Sequence, residues 1–95
     1  MRLFELTGKN VLVTGGTRGI GFAIAKGMQE AGANVWIHGS KKEATQEIAR
    51  KNGFQFLWGD LKNLEAIDEM LRPFIEKDIV LDVLVNNAGF EHTVL

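Results

Sequence analysis

The chain has no cysteine, no tyrosine, a single proline, and no apolar run approaching the length of a membrane span. Without cysteine there are no disulfides, no thiolate metal sites and no cysteine nucleophile. Without ~20 consecutive apolar residues, no segment is expected to cross a bilayer. The missing tyrosine removes the phenol from any acid–base scheme. Excess charge is also lacking: 11 basic and 12 acidic residues leave a formal net charge of −1. Neither nucleic acid nor an anionic membrane is therefore an expected partner. The opening MRLFELTGK lacks the apolar stretch of a secretory leader, so a cytoplasmic location is expected.

What is present suits one globular domain over residues 1–95, with 45% hydrophobic and 24% charged residues. A chain of this size buries roughly 60–65% of its unfolded surface, enough to fold with little margin.

Its organising stretch is Asn10 to Gly21, NVLVTGGTRGIG. Val11, Leu12 and Val13 have the character of a short buried parallel strand. Thr14-Gly15-Gly16 stops the run. Past Gly21 the apolar residues Ala23, Ile24, Ala25 and Met28 continue the helical spacing that begins at Ile20. A helix that starts inside a glycine turn offers unpaired N–H groups and the positive end of its dipole to a phosphate. Gly15 permits the turn, Gly19 lets the backbone approach a pyrophosphate, and Gly21 lets helix and strand pack closely. The spacing is G-x-x-x-G-x-G. A Walker phosphate loop is excluded, because Phe22-Ala23 stands where Lys-Ser/Thr is required.

Further elements follow in order. Helix one spans about Gly19 to Glu30 and ends at Gly32. Strand two is Asn34 to His38. Ser40 and Glu43 form a capping box for helix two, which presents Ala44, Ile48 and Ala49 inward and stops at Gly53. Strand three is Phe54 to Trp58. Asn63 caps helix three, whose apolar positions are Leu64, Ile67, Leu71, Phe74 and Ile75. Pro73 predicts a kink or an end near Arg72, then a short turn through Lys77. Strand four is Leu81 to Val85. The expected fold is α/β, a three-layer Rossmann-like half with a parallel four-stranded sheet of order 3-2-1-4 and helices on both faces. Its ligand crevice would lie at the switch point between strands one and four. Trp36, Trp58, Phe54 and Phe56 read as packing. His38 and His92 show no metal-ligand spacing.

Thr14-Gly15-x-x-x-Gly19-x-Gly21, with Asn86-Asn87-Ala88-Gly89 at the end of a later strand, resembles the short-chain dehydrogenase/reductase family. The resemblance runs from about Leu6 onward. The segment LFELTGKNVLVTGGTRGIG is similar to sugar-acid and polyol members such as gluconate dehydrogenases.

The resemblance implies a dinucleotide cofactor held by Gly15, Thr17, Arg18, Gly19, Ile20, Gly21, Ser40, Lys41, Asp60, Leu61, Asn87, Ala88 and Gly89. Arg18 would face the 2′-phosphate of NADP, or else stand solvated. NAD enzymes of this type carry an acid at the end of strand two. Gly39, Ser40, Lys41 and Lys42 stand there instead, so NADP(H) is expected over NAD(H), although Lys41 and Lys42 could also be plain first-turn residues. Asp60 would accept from the adenine amino group with Leu61 beside it, or else cap the following turn. Asn87 to Gly89 would line the ribose, and Asn86 would tie strand four to Thr14.

In the family, chemistry rests on a serine and a Tyr-x-x-x-Lys pair beyond this chain's last residue. The expected activity is hydride transfer between NADP(H) and a small alcohol or carbonyl in a full-length parent. This chain would be a truncated, inactive cofactor-binding half with no catalytic residue of its own. The alternative is a stand-alone nucleotide-binding or self-associating module that pairs through the exposed edge of strand four.

Overall fold

The apolar run of the glycine motif forms β1 (Asn10–Thr14), an inner strand of a parallel sheet. The computed structural model of the chain describes residues 5–87. Six further elements follow β1: α1 (Gly19–Glu30), β2 (Asn34–Gly39), α2 (Lys42–Asn52), β3 (Gln55–Trp58), α3 (Leu64–Glu76) and β4 (Val83–Asn86). The sheet order is β3-β2-β1-β4, as the alternating pattern predicts. Val13 is in register with Ile37 of β2 and Val85 of β4, so all strands finish at the same end of the sheet.

Alternation along the strands feeds two cores. Val11, Val13, Val35 and Ile37 point to one face and pack with Ala25 of α1 and Ala49 of α2. Leu12, Trp36 and Leu57 point to the other and pack with Met70 and Phe74 of α3. Small residues on α1 and α2 let these helices lie close to the strands. Ile37 is fully buried, a burial that contributes about 1.5–3 kcal/mol.

Several expectations are corrected. Ser40 and Glu43 do not form a capping box. The N-cap of α2 is Lys41, and no side chain caps the helix. The cause is that β2 continues through Gly39, where Gly59 N–H donates to the Gly39 carbonyl at 3.2 Å. Thr45 then fixes the first turn, its Oγ1 donating to the Lys41 carbonyl at 2.6 Å. Thr45, not Ala44, is the buried residue of that turn.

Pro73 does not end α3, which runs through to Glu76. A proline in the last turn forfeits one backbone bond. Against that, its neighbour Phe74 packs edge-to-face on Trp36, with centroids 5.1 Å apart. Asn63 does cap the helix, accepting from Glu65 and Ala66 N–H. The inward stripe is Ile67, Met70, Leu71 and Phe74, while Leu64 and Ile75 are exposed.

Trp58 is not a packing residue: it is 48% exposed, and the Lys42 ammonium lies 5.9 Å from its ring centroid. Val83 and Val85 join the first core, and the exposed apolar side chain of β4 is Leu84.

Candidate functional site

The turns that leave β1, β2, β3 and β4 surround a crevice of about 1310 Å³ at the carboxyl ends of the strands. The first wall is the glycine turn. Gly15 and Gly19 hold φ of +64° and +63°, a region in which side chains are strained. A Cβ on Gly19 would meet nothing within 4 Å, so the space in front of this backbone is open. Gly21 serves packing instead: a Cβ there would collide with the Gly15 carbonyl and come within 2.6 Å of Asn87 Nδ2.

No side chain caps α1, and no acid stands in its first turn. The Phe22 N–H bonds the Arg18 carbonyl at 3.3 Å, and the amides of Gly19, Ile20 and Gly21 precede that bond. This end of α1 therefore presents donors and positive potential to whatever enters the crevice.

Thr14 ties the glycine turn to β4. Its hydroxyl lies 3.2 Å from Asn86 Oδ1 and 3.3 Å from the Val85 carbonyl, and accepts the Asn87 N–H at 2.9 Å. Asn87 Nδ2 donates to the Gly15 carbonyl at 3.3 Å. The expected tie of Asn86 to Thr14 is thus present, and Asn87 is held beside the turn.

Gly39, Ser40 and Lys41 form the second wall, with no carboxylate among them. Gly39 is compact by necessity, since a Cβ there would collide with Thr45 Oγ1 and come within 2.8 Å of Thr17. Lys41 lines the crevice, whereas Lys42 lies over Trp58. Asp60 and Leu61 make the third wall. Asp60 Oδ1 accepts the Lys62 N–H at 2.9 Å, so the turn-capping role is realised.

Nine residues singled out from sequence line this crevice together: Gly15, Thr17, Arg18, Gly19, Ser40, Lys41, Asp60, Leu61 and Asn87. Gly21 lies beneath it, and Ile20 is 72% exposed outside it. Ala88, Gly89 and His92 lie outside the described residues. Sequence reasoning missed the apolar floor, which includes Leu12, Met70 and Leu84. It also missed His38, a buried residue that touches both the first and third walls. A histidine within an otherwise apolar central strand was the available signal. Among the described residues, no group of three or more His, Asp or Glu could hold a metal ion, and no helix is long and apolar enough to cross a membrane.

A parallel sheet of order 3-2-1-4, with a crevice at the switch point, defines a Rossmann-like half-domain. Residues 9–95 match the short chain dehydrogenase family, and the chain belongs to it. It is 38% identical over 96 residues to the 3-oxoacyl-(acyl-carrier-protein) reductase of Chlamydia trachomatis, covering 95% of this chain and 39% of that protein. Among solved structures it is similar to the RhlG/NADP active-site complex of Pseudomonas aeruginosa, with 36% identity and a TM-score of 0.82 over 94% of this chain and 40% of that one. A gluconate 5-dehydrogenase from Burkholderia cenocepacia, in complex with NADP and tartrate, matches with 34% identity and a TM-score of 0.82, over 90% and 36% of the two chains. The chain therefore spans between 36% and 40% of the length of these relatives.

Proposed function

We propose that this chain is the NADP(H)-binding half of a short-chain dehydrogenase/reductase oxidoreductase. One observation carries the reading. The open space before Gly19, at the uncapped start of α1, faces a second wall that offers Ser40 and Lys41 and no acid. That combination fits a pyrophosphate at the helix end and a 2′-phosphate beside β2.

In this reading the turn from Gly15 to Gly21, including Thr17 and Ile20, holds the pyrophosphate through its backbone. Arg18, Ser40 and Lys41 hold the 2′-phosphate. Asp60 keeps one carboxylate oxygen for its own turn and offers the other to the adenine amino group, with Leu61 against the ring edge. Asn87, followed by Ala88 and Gly89, lines the ribose. A bound nicotinamide would supply hydride chemistry toward an alcohol or carbonyl in a full-length parent. Support for NADP comes from the two relatives solved with it.

Within these 95 residues there is no tyrosine to act as the family's acid/base. Loss of general acid–base catalysis alone costs about 10²–10⁴-fold in rate. Calorimetric titration with NADPH and NADH tests the cofactor reading: tighter NADPH is expected, and equal affinity or a preference for NADH would contradict it. An assay over sugars, polyols and ketones should show no turnover, and turnover that follows this polypeptide through purification would refute its inactivity.

A second reading, self-association, rests on β4. It is an edge of the described sheet, and its Leu84 is 58% exposed. Light scattering at high concentration should then report more than one copy, and a monomer would refute it.

A further inference from the structure

We infer that His38 is a positioning residue for the dinucleotide crevice: its neutral imidazole, protonated on Nε2, holds the glycine turn and the β3 turn at a fixed separation. The inference deepens the cofactor reading and rests on it.

His38 is 3% exposed at the carboxyl end of β2. Its Nδ1 lies 3.4 Å from the Gly15 nitrogen, and its Nε2 lies 2.8 Å from the Gly59 carbonyl oxygen. The chemistry of the two partners assigns the proton. A carbonyl oxygen only accepts, so Nε2 must carry the hydrogen. A backbone N–H only donates, so Nδ1 must be bare. The other neutral tautomer fails at both contacts, and the imidazolium fails at Gly15.

Position gives this tautomer its consequence. Gly15 opens the turn that would cradle the pyrophosphate, and the His38 carbonyl also accepts the Gly16 N–H at 3.0 Å. Gly59 immediately precedes Asp60 and Leu61, the residues placed at the adenine. Gly15 and Gly59 hold positive φ, +64° and +155°, so neither turn is fixed by side-chain sterics of its own. One buried ring thus spans both walls. The Gly15 contact, at 3.4 Å, adds to the Gly16 bond on the same residue's carbonyl, and the shorter Gly59 contact anchors the ring on the other side.

Two amide side chains separate this role from mere core filling. In His38→Asn, Oδ1 replaces Nδ1 and keeps the acceptor toward Gly15. In His38→Gln, Nε2 replaces the donor toward Gly59 and the acceptor is lost. His38→Phe keeps bulk and loses both. The test combines ¹⁵N NMR of the imidazole in the cofactor-free protein, amide exchange at Gly15, and NADPH titration of all four proteins. The expected spectrum is a neutral ring protonated on Nε2. Each amide keeps one half of the bridge, so His38→Asn and His38→Gln should each lose about threefold in NADPH affinity and His38→Phe about tenfold, while only His38→Gln and His38→Phe should exchange the Gly15 amide faster. Parent-like affinity in His38→Phe or in either amide variant, a Gly15 amide equally protected in Asn and Gln, or a ring protonated on Nδ1 would overturn the inference. Should the phenylalanine variant fail to fold, the Asn and Gln pair still decides. If the parent itself binds no NADPH, the cofactor reading fails, while the NMR and exchange results still report whether His38 holds the turn.

Discussion

The two ends of this sheet are finished differently. At the amino end, polar groups satisfy one another. The Asn10 N–H donates to Asp82 Oδ2 at 2.8 Å, Asn10 Nδ2 to the Val80 carbonyl at 2.9 Å, and Asn34 Nδ2 to Asn10 Oδ1 at 3.2 Å. The Asp82 N–H returns to the Asn10 carbonyl at 2.9 Å. At the carboxyl end the same strands open into glycine turns, an uncapped helix start and a large crevice. One end is closed by its own side chains, and the other keeps donors facing outward. The difference separates residues that hold the sheet from a glycine turn and helix start left open to the crevice.

Substitutions can break that division, the largest effect coming from the open end. Gly19→Val should abolish NADPH binding in calorimetry, because a branched side chain would fill the space before the backbone. It should cost only about 1–2 kcal/mol of stability in urea denaturation, the strain of a side chain at φ +63°. A valine variant that folds and still binds normally would move the phosphate elsewhere. Arg18→Ala should weaken NADPH by about 1–3 kcal/mol and NADH by much less, since only the 2′-phosphate loses a charge-assisted contact. Equal losses would place Arg18 on the pyrophosphate instead.

The closed end should respond in the opposite sense. Asp82→Ala removes the acceptor of the Asn10 N–H and should lower stability by about 1 kcal/mol with NADPH affinity unchanged. A weakened affinity would show that the two ends are coupled.

The smallest effect lies away from both ends. The Arg50 hydrogen bond holds the Glu47 carboxyl below its ordinary value, with Lys51 adding a weaker pull. A carboxylate lowered in the folded state stabilises above its unfolded pKa, and that contribution fades as pH falls through the folded value. Glu47→Gln should flatten this acidic part of the stability profile, only slightly because the pair is exposed. An unchanged profile would remove the pair from the stability account.

Much of the open end was legible in the sequence because its determinants are local. The glycine spacing, the apolar run of β1 and the absence of an acid after β2 lie in short stretches, and nine of the residues that the family resemblance implied line one crevice. What was not legible depends on partners far along the chain. The capping box at Ser40 failed because Gly59, twenty residues away, extends β2 through Gly39. The early end near Arg72 does not occur, and just past it Phe74 packs on Trp36, 38 residues earlier in the chain. Trp58 is 48% exposed at the last position of β3, next to the buried Leu57, with Lys42 of α2 over its ring. His38 showed no function in sequence because its contacts are 23 and 21 residues away, on opposite sides of it.

The central claim is that the open end, and not the closed one, receives NADP(H). Amide NMR of the ¹⁵N-labelled chain, titrated with NADPH, tests it most directly. The account predicts shifts concentrated at Gly15 to Gly21, Ser40, Lys41, Asp60 and Leu61, with Asn10, Asn34 and Asp82 unmoved. Shifts centred on Asn10, Asn34 and Asp82, or a spectrum unchanged at saturating NADPH, would contradict it.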